Sequence, residues 1–202
     1  MTGKILFLHG WASSGSYKLA DTLRILLKPE AVIAPDLPPD PDEALAMARA
    51  LCEQERPALA VGLSWGGFLL QQVRGQRKAL INPDFRISRF LRTMIGEVGY
   101  LSPRKDGRTS LLLSEEMCAR YAELEAVQFE EIDPAEQALT LGFFAAGDEL
   151  TRCGDIFAEH YPGRGISYPG GHLPTFPEVK RSITPVLQEW LRQEDGKLEK
   201  NP

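Results

Sequence analysis

The alternation of short apolar segments with segments of helical periodicity is the feature that most constrains the fold of this chain. Six apolar runs, rich in β-branched or aromatic residues, each end at a turn signal. The runs are Ile5–Leu8, Ala31–Ala34, Leu59–Leu63, Ala79–Ile81, Leu139–Ala145 and Gly165–Tyr168. They are continuous rather than alternating polar and apolar, as is typical of strands that helices cover on both faces. The pattern therefore predicts an α/β protein with three layers and a mostly parallel sheet of about six strands.

Segments with apolar residues at helical spacing lie between these runs and supply the crossover helices. They cover residues 19–26, 42–55, 68–76 and, near the C-terminus, 179–190. Pro185 falls inside the last segment, where proline removes a backbone donor, so it is expected to kink the helix or restart it there.

The long interval between Ile81 and Leu139 interrupts this alternation of predicted strands and helices. Residues 84–135 are therefore expected to form a helical lid inserted into a single domain that spans residues 1–202. Apolar residues from Ile87 to Val98 recur at helical spacing, and a second helix is expected after the N-cap Ser114. The charged residues of the insertion are expected on solvated helix faces, and a charged substrate site is the alternative interpretation. The basic ones are Arg86, Arg89, Arg92, Arg104, Lys105 and Arg108.

Composition excludes several classes of partner. The chain has a net charge of −5 and a pI of about 5.3, so no overall positive field attracts nucleic acid or an anionic membrane surface. No leader segment and no apolar run of spanning length is visible, and the expected location is the cytoplasm. Three widely spaced cysteines fit neither a disulfide framework nor a zinc site, so they are expected to be free thiols. Neither a metal nor a cofactor is expected.

The segment Gly62-Leu63-Ser64-Trp65-Gly66 follows an apolar strand and precedes a helical segment. A serine at such a strand-to-helix turn is a nucleophile elbow, in which glycines make room for the tight turn and the hydroxyl projects above the sheet. The pattern alone also occurs in structural glycine-rich turns. Its context predicts that Ser64 is a catalytic nucleophile.

A serine nucleophile needs a base, and the chain has three histidines. His9 precedes Ser64 and is expected to hold its own loop together, and His160 is expected to be a surface or capping residue. His172 follows the last predicted strand and two glycines, on a loop that can reach over the sheet. It is therefore the predicted general base.

The base in turn needs an acid that orients it. Asp148 follows the strand that ends at Ala145, at the carboxyl edge where open α/β sheets bind their ligands. The order serine, acid, histidine along the chain also fits this fold. Asp148 is the predicted acid; the alternatives are Glu149, Asp133 and Asp155, for which ordinary capping and solvation are the other interpretation.

Attack by a serine on a carbonyl group creates an oxyanion, which needs two N–H donors. The backbone N–H groups of Trp65, after the nucleophile, and Trp11, after the first strand, are the predicted donors. The two indoles are expected either to line an acyl pocket or to pack in the core. Phe90 and Met94, on the predicted helix of the insertion, are expected either to roof the same pocket or to pack on the core.

These residues resemble a family, the small YqiA-type esterases of the α/β-hydrolase superfamily. The resemblance rests on a set of short motifs in a shared order and covers most of the chain. The motifs are Leu8-His9-Gly10-Trp11 with Ser13, Ser14 and Lys18, Pro35 to Pro41, Gly62 to Gly67, Ile81-Asn82-Pro83, Ile132-Asp133-Pro134, Gly147-Asp148-Glu149, and Gly170-Gly171-His172 with Phe176. The loop after Trp11 is one residue shorter than the family's pattern, and residues 84–130 match only loosely.

The resemblance implies an α/β-hydrolase core without the first antiparallel strands. It also implies a metal-free triad at Ser64, Asp148 and His172 and esterase activity on short acyl chains. The expected partner is a small-molecule ester or thioester. A thioesterase or acyltransferase on the same triad, and a non-catalytic binding protein that kept the fold, are the alternative functions.

Overall fold

The strands of the main sheet carry apolar side chains on both faces. In the first strand Leu6 and Leu8 belong to one buried cluster, whereas Ile5 and Phe7 belong to the other. Because successive side chains of a strand point to opposite faces, a sheet covered on both sides needs a continuous apolar run. The sequence pattern thus reflects two hydrophobic cores, one on each face.

A computed structural model describes residues 3–198, and side chains as far as residue 192. Numbered in chain order, the strands are β1 (Lys4–Leu8), β2 (Ala31–Ile33), β3 (Leu59–Leu63), β4 (Lys78–Ile81), β5 (Gly96–Gly99), β6 (Ser110–Leu113), β7 (Thr140–Ala145) and β8 (Gly165–Tyr168). Six of them form one sheet in the order β2-β1-β3-β4-β7-β8, and every neighbouring pair is parallel. This arrangement confirms the predicted α/β-hydrolase fold with its mostly parallel six-stranded sheet.

Helices cover both faces of this sheet. They are α1 (Lys18–Leu26), α2 (Pro41–Glu55), α3 (Trp65–Gln71), α4 (Ile87–Leu91), α5 (Glu115–Val127), α6 (Pro134–Ala138), α7 (Gly154–His160), α8 (Phe176–Glu178) and α9 (Thr184–Leu198). A π-helical turn, Val179–Ile183, joins α8 to α9. The last helix therefore restarts immediately before Pro185, one of the two outcomes expected of this proline. Within residues 3–198 no helix combines the length and the apolar character that crossing a bilayer requires.

The insertion differs from its prediction in one element. The helix expected from Ile87 to Val98 ends at Leu91, and Gly96–Gly99 instead pairs antiparallel with Ser110–Leu113. Gly96 has a φ of 121°, which a helix does not contain and which glycine alone adopts easily. The insertion is thus a short helix, a β-hairpin and a longer helix. The predicted second helix is confirmed as α5, which begins directly after Ser114. The Ser114 side chain accepts the Met117 N–H and caps this helix.

Candidate active site

Ser64 lies at the turn between β3 and α3 with a φ of 52° and a ψ of −114°. Glycines are required around it because the backbone passes too close for side chains. A methyl group on Gly66 would lie 2.2 Å from the Leu8 carbonyl oxygen, and one on Gly62 would lie 2.5 Å from the Gly66 oxygen. A non-glycine residue in this region of φ and ψ is strained, and the surrounding hydrogen bonds hold it there. The turn therefore has the backbone features of a nucleophile elbow.

His172 lies between Ser64 and Asp148. Its Nε2 is 3.0 Å from the Ser64 Oγ, and its Nδ1 is 3.1 Å from the Asp148 Oδ2. The structure thus brings together the three side chains that the sequence singled out, in the order serine, histidine, carboxylate. In this arrangement one ring nitrogen can accept the serine proton while the other donates to the carboxylate.

The loop after β7 fixes the Asp148 carboxylate. Its Oδ1 accepts the Leu150 N–H at 2.8 Å and the Thr151 N–H at 3.2 Å, and its Oδ2 accepts the Thr151 hydroxyl at 2.6 Å. Burial favours the neutral form of this carboxyl, but the hydrogen bonds from Thr151 and His172 outweigh burial and lower its pKa. Asp148 is therefore an anion oriented toward the imidazole. Sequence reasoning overlooked Thr151, although an aspartate followed three residues later by threonine is a recognisable capping pattern.

Asn82 connects the two loops that carry His172 and Asp148, and it too was overlooked as a site residue. It follows β4, has a φ of 43° and is 1% exposed. Its amide donates to the backbone oxygens of His172 at 2.8 Å and Gly171 at 3.2 Å, and its Oδ1 accepts the Ala145 N–H at 2.8 Å. An asparagine before a proline, at the carboxyl edge of a buried strand, is the signal that points to such a role.

The other two histidines lie elsewhere. His9 donates from Nδ1 to the Gly10 oxygen at 2.8 Å and accepts the Leu37 N–H on Nε2 at 3.0 Å. Burial lowers the pKa of His9 to about 4, so its ring is neutral and joins two loops, in agreement with its expected role. His160 is half-buried and stacks on Phe129 with 4.0 Å between ring centroids.

The alternative acids are not in contact with His172. Asp133 caps α6 by accepting the Glu136 N–H at 2.8 Å. Glu149 and Asp155 are exposed. Each residue has the capping or solvated role that was its alternative interpretation.

The loop after β1 passes beside Ser64, since a methyl group on Gly10 would lie 3.7 Å from the Ser64 Cβ. The indoles of Trp11 and Trp65 pack edge to face with 5.2 Å between centroids, and they are 7% and 1% exposed. Tyr121 of α5 contacts Trp11 in the same manner at 5.8 Å. The two indoles therefore belong to the core, and a substrate contact of either ring stays a prediction.

Phe90 and Met94 are half-buried and pack against the core cluster that contains Trp11. Phe90 also lines a cavity of about 380 Å³, whose wall includes Leu150 and Thr151 of the loop that carries Asp148. The cavity therefore adjoins the candidate site on the side of the acid. A role of Phe90 and Met94 in binding substrate stays a prediction.

Asp84 is a second buried carboxyl near the site. Burial raises its pKa to about 6, which the neighbouring Glu125 reinforces and the hydrogen bond from the Arg86 N–H opposes. Its backbone N–H donates to the Ser64 carbonyl at 3.2 Å. This carboxyl therefore changes charge at mildly acidic pH, in a residue whose backbone binds that of Ser64.

Among the side chains that the structure describes, residues 3–192, no group of three or more His, Cys, Asp or Glu is arranged to hold a metal ion. Cys52, Cys118 and Cys153 are free and buried, as predicted. Burial raises the pKa of each of these thiols, which disfavours the reactive thiolate.

A parallel six-stranded sheet with helices on both faces, and a serine at a strained turn beside a histidine and a carboxylate, define an α/β-hydrolase fold with a hydrolase-like site. A model of the alpha/beta hydrolase family matches residues 5–193, and the chain belongs to that family. No curated protein sequence gave a significant match.

Solved structures of similar fold include esterases. The esterase domain of a Rhodothermus marinus protein is 22% identical with a TM-score of 0.65, and the match covers 95% of this chain and 87% of that one. A structure reported for LipS and LipT, metagenome-derived lipolytic enzymes, is 15% identical with a TM-score of 0.69 and 95% coverage of both chains. A putative hydrolase from Xanthomonas campestris is 16% identical with a TM-score of 0.58, covering 94% and 99%. At these identities the likeness concerns the fold.

Proposed function

We propose that this protein is a serine hydrolase that cleaves carboxylic esters of small molecules. The observation that carries the proposal is the hydrogen-bond chain from Ser64 through His172 to Asp148, with 3.0 Å and 3.1 Å between its atoms. A serine hydroxyl is a poor nucleophile until a base takes its proton, and this geometry supplies that base.

In the proposed mechanism the Ser64 Oγ attacks the ester carbonyl carbon while His172 takes its proton. The resulting imidazolium is stabilised by Asp148 and returns the proton to the departing alkoxide, which leaves as an alcohol. Water, deprotonated by His172, then attacks the acyl-enzyme, and the imidazolium returns the proton to the Ser64 Oγ as the acid leaves. The backbone N–H groups of Trp11 and Trp65 are the proposed donors to the oxyanion in both steps.

The finer assignment, a YqiA-type esterase acting on short acyl chains, is also part of this proposal. The motifs around His9, Asn82 and Asp148 support it, because each of these residues makes a hydrogen bond that fixes a loop or a side chain of the candidate site. A thioesterase or acyltransferase would use the same residues and differ only in the leaving group or the acyl acceptor.

The test is hydrolysis of p-nitrophenyl and coenzyme A esters of graded acyl length by the wild-type protein and by Ser64→Ala. We expect the variant to fold and to lose activity by about a thousandfold or more, since nothing replaces the nucleophile. A purified Ser64→Ala protein that keeps more than a tenth of the wild-type activity would remove this serine from the mechanism. A wild-type protein inactive on all of these esters would favour a non-catalytic binding role.

A further inference from the structure

Arg104 is the one buried residue in the segment 101–109 that connects β5 to β6, which we call the hairpin connection. Its side chain is 2% exposed, whereas that of Arg108 in the same connection is 56% exposed. A buried guanidinium must find partners for its donors, so its contacts indicate what it holds. The sequence predicted a solvated side chain here, and that prediction is wrong for Arg104.

The guanidinium of Arg104 reaches the backbone around the oxyanion loop, defined as residues 9–16. Its Nη1 donates to the Leu37 oxygen at 3.1 Å and to the Ser13 oxygen at 3.4 Å. Its Nε donates to the Asp106 carboxylate at 3.3 Å, and its plane lies 4.5 Å from the Tyr100 ring centroid. A charged side chain of the insertion thus binds the loop that carries the proposed Trp11 donor.

Three serine hydroxyls form a second contact between these segments. The Ser102 Oγ lies 2.9 Å from the Ser13 Oγ and 3.1 Å from the Ser14 Oγ. The Ser14 hydroxyl also donates to the Pro103 oxygen at 2.7 Å and accepts the Ser16 N–H at 3.1 Å. Ser13 and Ser14 are 4% and 0% exposed, so water has little access to replace Ser102.

The carboxylate of Asp36 bridges the same two segments. Its Oδ1 accepts the Gly15 N–H of the oxyanion loop at 2.7 Å, and its Oδ2 accepts the Lys105 N–H of the hairpin connection at 2.6 Å. Charge-assisted hydrogen bonds of this kind are about twice as strong as neutral ones. The insertion therefore holds the second half of the oxyanion loop, directly at Ser13 and Ser14 and through Asp36 at Gly15.

The oxyanion loop needs such support because it contains a strained residue directly after the proposed donor. Ala12 has a φ of 51°, a conformation that non-glycine residues rarely adopt without surrounding constraints. Its carbonyl accepts the Leu101 N–H at 2.7 Å, so the hairpin connection binds the peptide of the strained residue itself. Relaxation of Ala12 would rotate the Trp11–Ala12 peptide and thereby shift the Trp11 backbone, whose N–H lies in the preceding peptide.

We propose that the hairpin connection holds the oxyanion hole in its working geometry, with Ser102 and Arg104 as positioning residues for the Trp11 N–H. This inference rests on the proposed ester hydrolysis and extends it. The oxyanion exists in the transition state and not in the bound ester, so a displaced donor lowers kcat and leaves KM nearly unchanged. The insertion is then a working part of the catalytic machinery and not a removable cover.

The test compares Arg104→Ala with Arg108→Ala. Both arginines belong to the hairpin connection and both contact Asp106, but only Arg104 contacts the oxyanion loop. We expect kcat to fall by about 10- to 100-fold in Arg104→Ala, less than the loss of a whole oxyanion donor, while KM changes by less than about threefold. Binding of a trifluoromethyl ketone, which forms the tetrahedral adduct, should weaken by the same factor as kcat. Arg108→Ala should match the wild type.

Two further variants keep the test decisive if Arg104→Ala folds poorly. Ser102→Ala removes one hydroxyl and should lower kcat by about three- to tenfold, and Arg104→Lys, which can still donate to a carbonyl, should restore part of the activity. A folded Arg104→Ala that keeps more than half of the wild-type kcat would overturn the proposal. So would a loss of activity that only follows the folded fraction, or one confined to KM.

Hydrogen–deuterium exchange of residues 10–16 separates this proposal from the proposed function, because it needs no activity. We expect faster exchange there in Arg104→Ala than in Arg108→Ala. Unchanged exchange in Arg104→Ala would show that the hairpin connection does not hold the loop. An inactive wild-type protein with altered exchange in the variant would instead refute the esterase assignment and, with it, the catalytic part of this inference.

Discussion

At the scale of single residues, Asn82 shows how a side chain outside the hydrogen-bond chain sets its geometry. Its amide nitrogen binds the backbone of the loop that carries His172, and its amide oxygen binds the end of the strand that precedes Asp148. The proposed base and acid follow the neighbouring strands β8 and β7, and Asn82 adds a side-chain link to the backbone bonds between the two loops. A change of about 1 Å in the separation of base and acid can cost a hundredfold in rate.

Replacing Asn82 by aspartate tests this role with a side chain of nearly the same size and shape. The carboxylate still accepts the Ala145 N–H and tolerates the positive φ, but it cannot donate to the two carbonyls beside His172. We expect Asn82→Asp to lower kcat by at least about tenfold with a small change in KM, and to cost about 1–3 kcal/mol of stability. A variant with wild-type kcat that is merely less stable would show that Asn82 supports the fold and not the site.

The buried, neutral His9 should make the free energy of unfolding depend on pH. Its pKa is lowered from 6.5 to about 4 by burial, so the folded ring stays neutral while the unfolded ring binds a proton below about pH 6.5. The stability that a neutral His9 provides is therefore complete above pH 6.5 and is lost as the pH falls toward 4. Between pH 7.5 and pH 5 the loss amounts to about 2 kcal/mol.

Urea unfolding at pH 7.5 and pH 5 measures this contribution. We expect His9→Gln to be less stable than the wild type at pH 7.5, because two buried hydrogen bonds change, and to lose about 2 kcal/mol less on acidification. Equal acid destabilisation of the two proteins would assign the pH dependence to groups other than His9.

At the scale of elements, the strands were predictable and the hairpin of the insertion was not. Buried parallel strands leave an unmistakable apolar run, and β1, β3 and β7 were found within one residue of their observed ends. The segment after Leu91 has apolar residues at helical spacing, but Gly96 and pairing with Ser110–Leu113 decide its structure. Local periodicity cannot report a strand whose partner lies over ten residues away.

The same distinction holds within the candidate site. Ser64, Asp148 and His172 were recognisable because each follows a strand at the same edge of the sheet, where the fold gathers side chains. Arg104 was not, because an arginine in a polar loop looks solvated until its partners, the Ser13 and Leu37 oxygens, are known. Contacts between loops distant in sequence leave no local pattern.

Phe90 of helix α4 provides a test of substrate selection by the insertion. It lines the cavity beside the Asp148 loop, and removing its ring enlarges that cavity. If acyl chains enter there, Phe90→Ala should shift the preferred p-nitrophenyl ester toward longer chains, by up to about fourfold in kcat/KM per methylene, equivalent to about 0.8 kcal/mol. Met94→Ala, just after α4, serves as the matched variant, because Met94 packs against the same core cluster but does not line the cavity. An unchanged chain-length profile in both, with lowered stability, would assign both side chains to the core.

At the scale of the whole molecule, the sheet and the insertion contribute different parts of the candidate site. The carboxyl edge of the sheet presents Ser64, Asp148 and Asn82 from adjacent strands, with His172 on the loop after β8. The insertion between β4 and β7 contacts the opposite side of the same site through the oxyanion loop. Membership of the alpha/beta hydrolase family accounts for the sheet that presents these residues.

The central claim is that Ser64 is a nucleophile activated by His172, and reaction with a fluorophosphonate tests it most directly. Such a reagent phosphonylates an activated serine with loss of fluoride, whatever the physiological substrate. Intact-protein and peptide mass spectrometry of the wild type should show one adduct per chain, on the peptide that contains Ser64. The folded His172→Ala variant should remain unlabelled under the same conditions. An unlabelled wild type, an adduct on another residue, or equal labelling of His172→Ala would contradict the account.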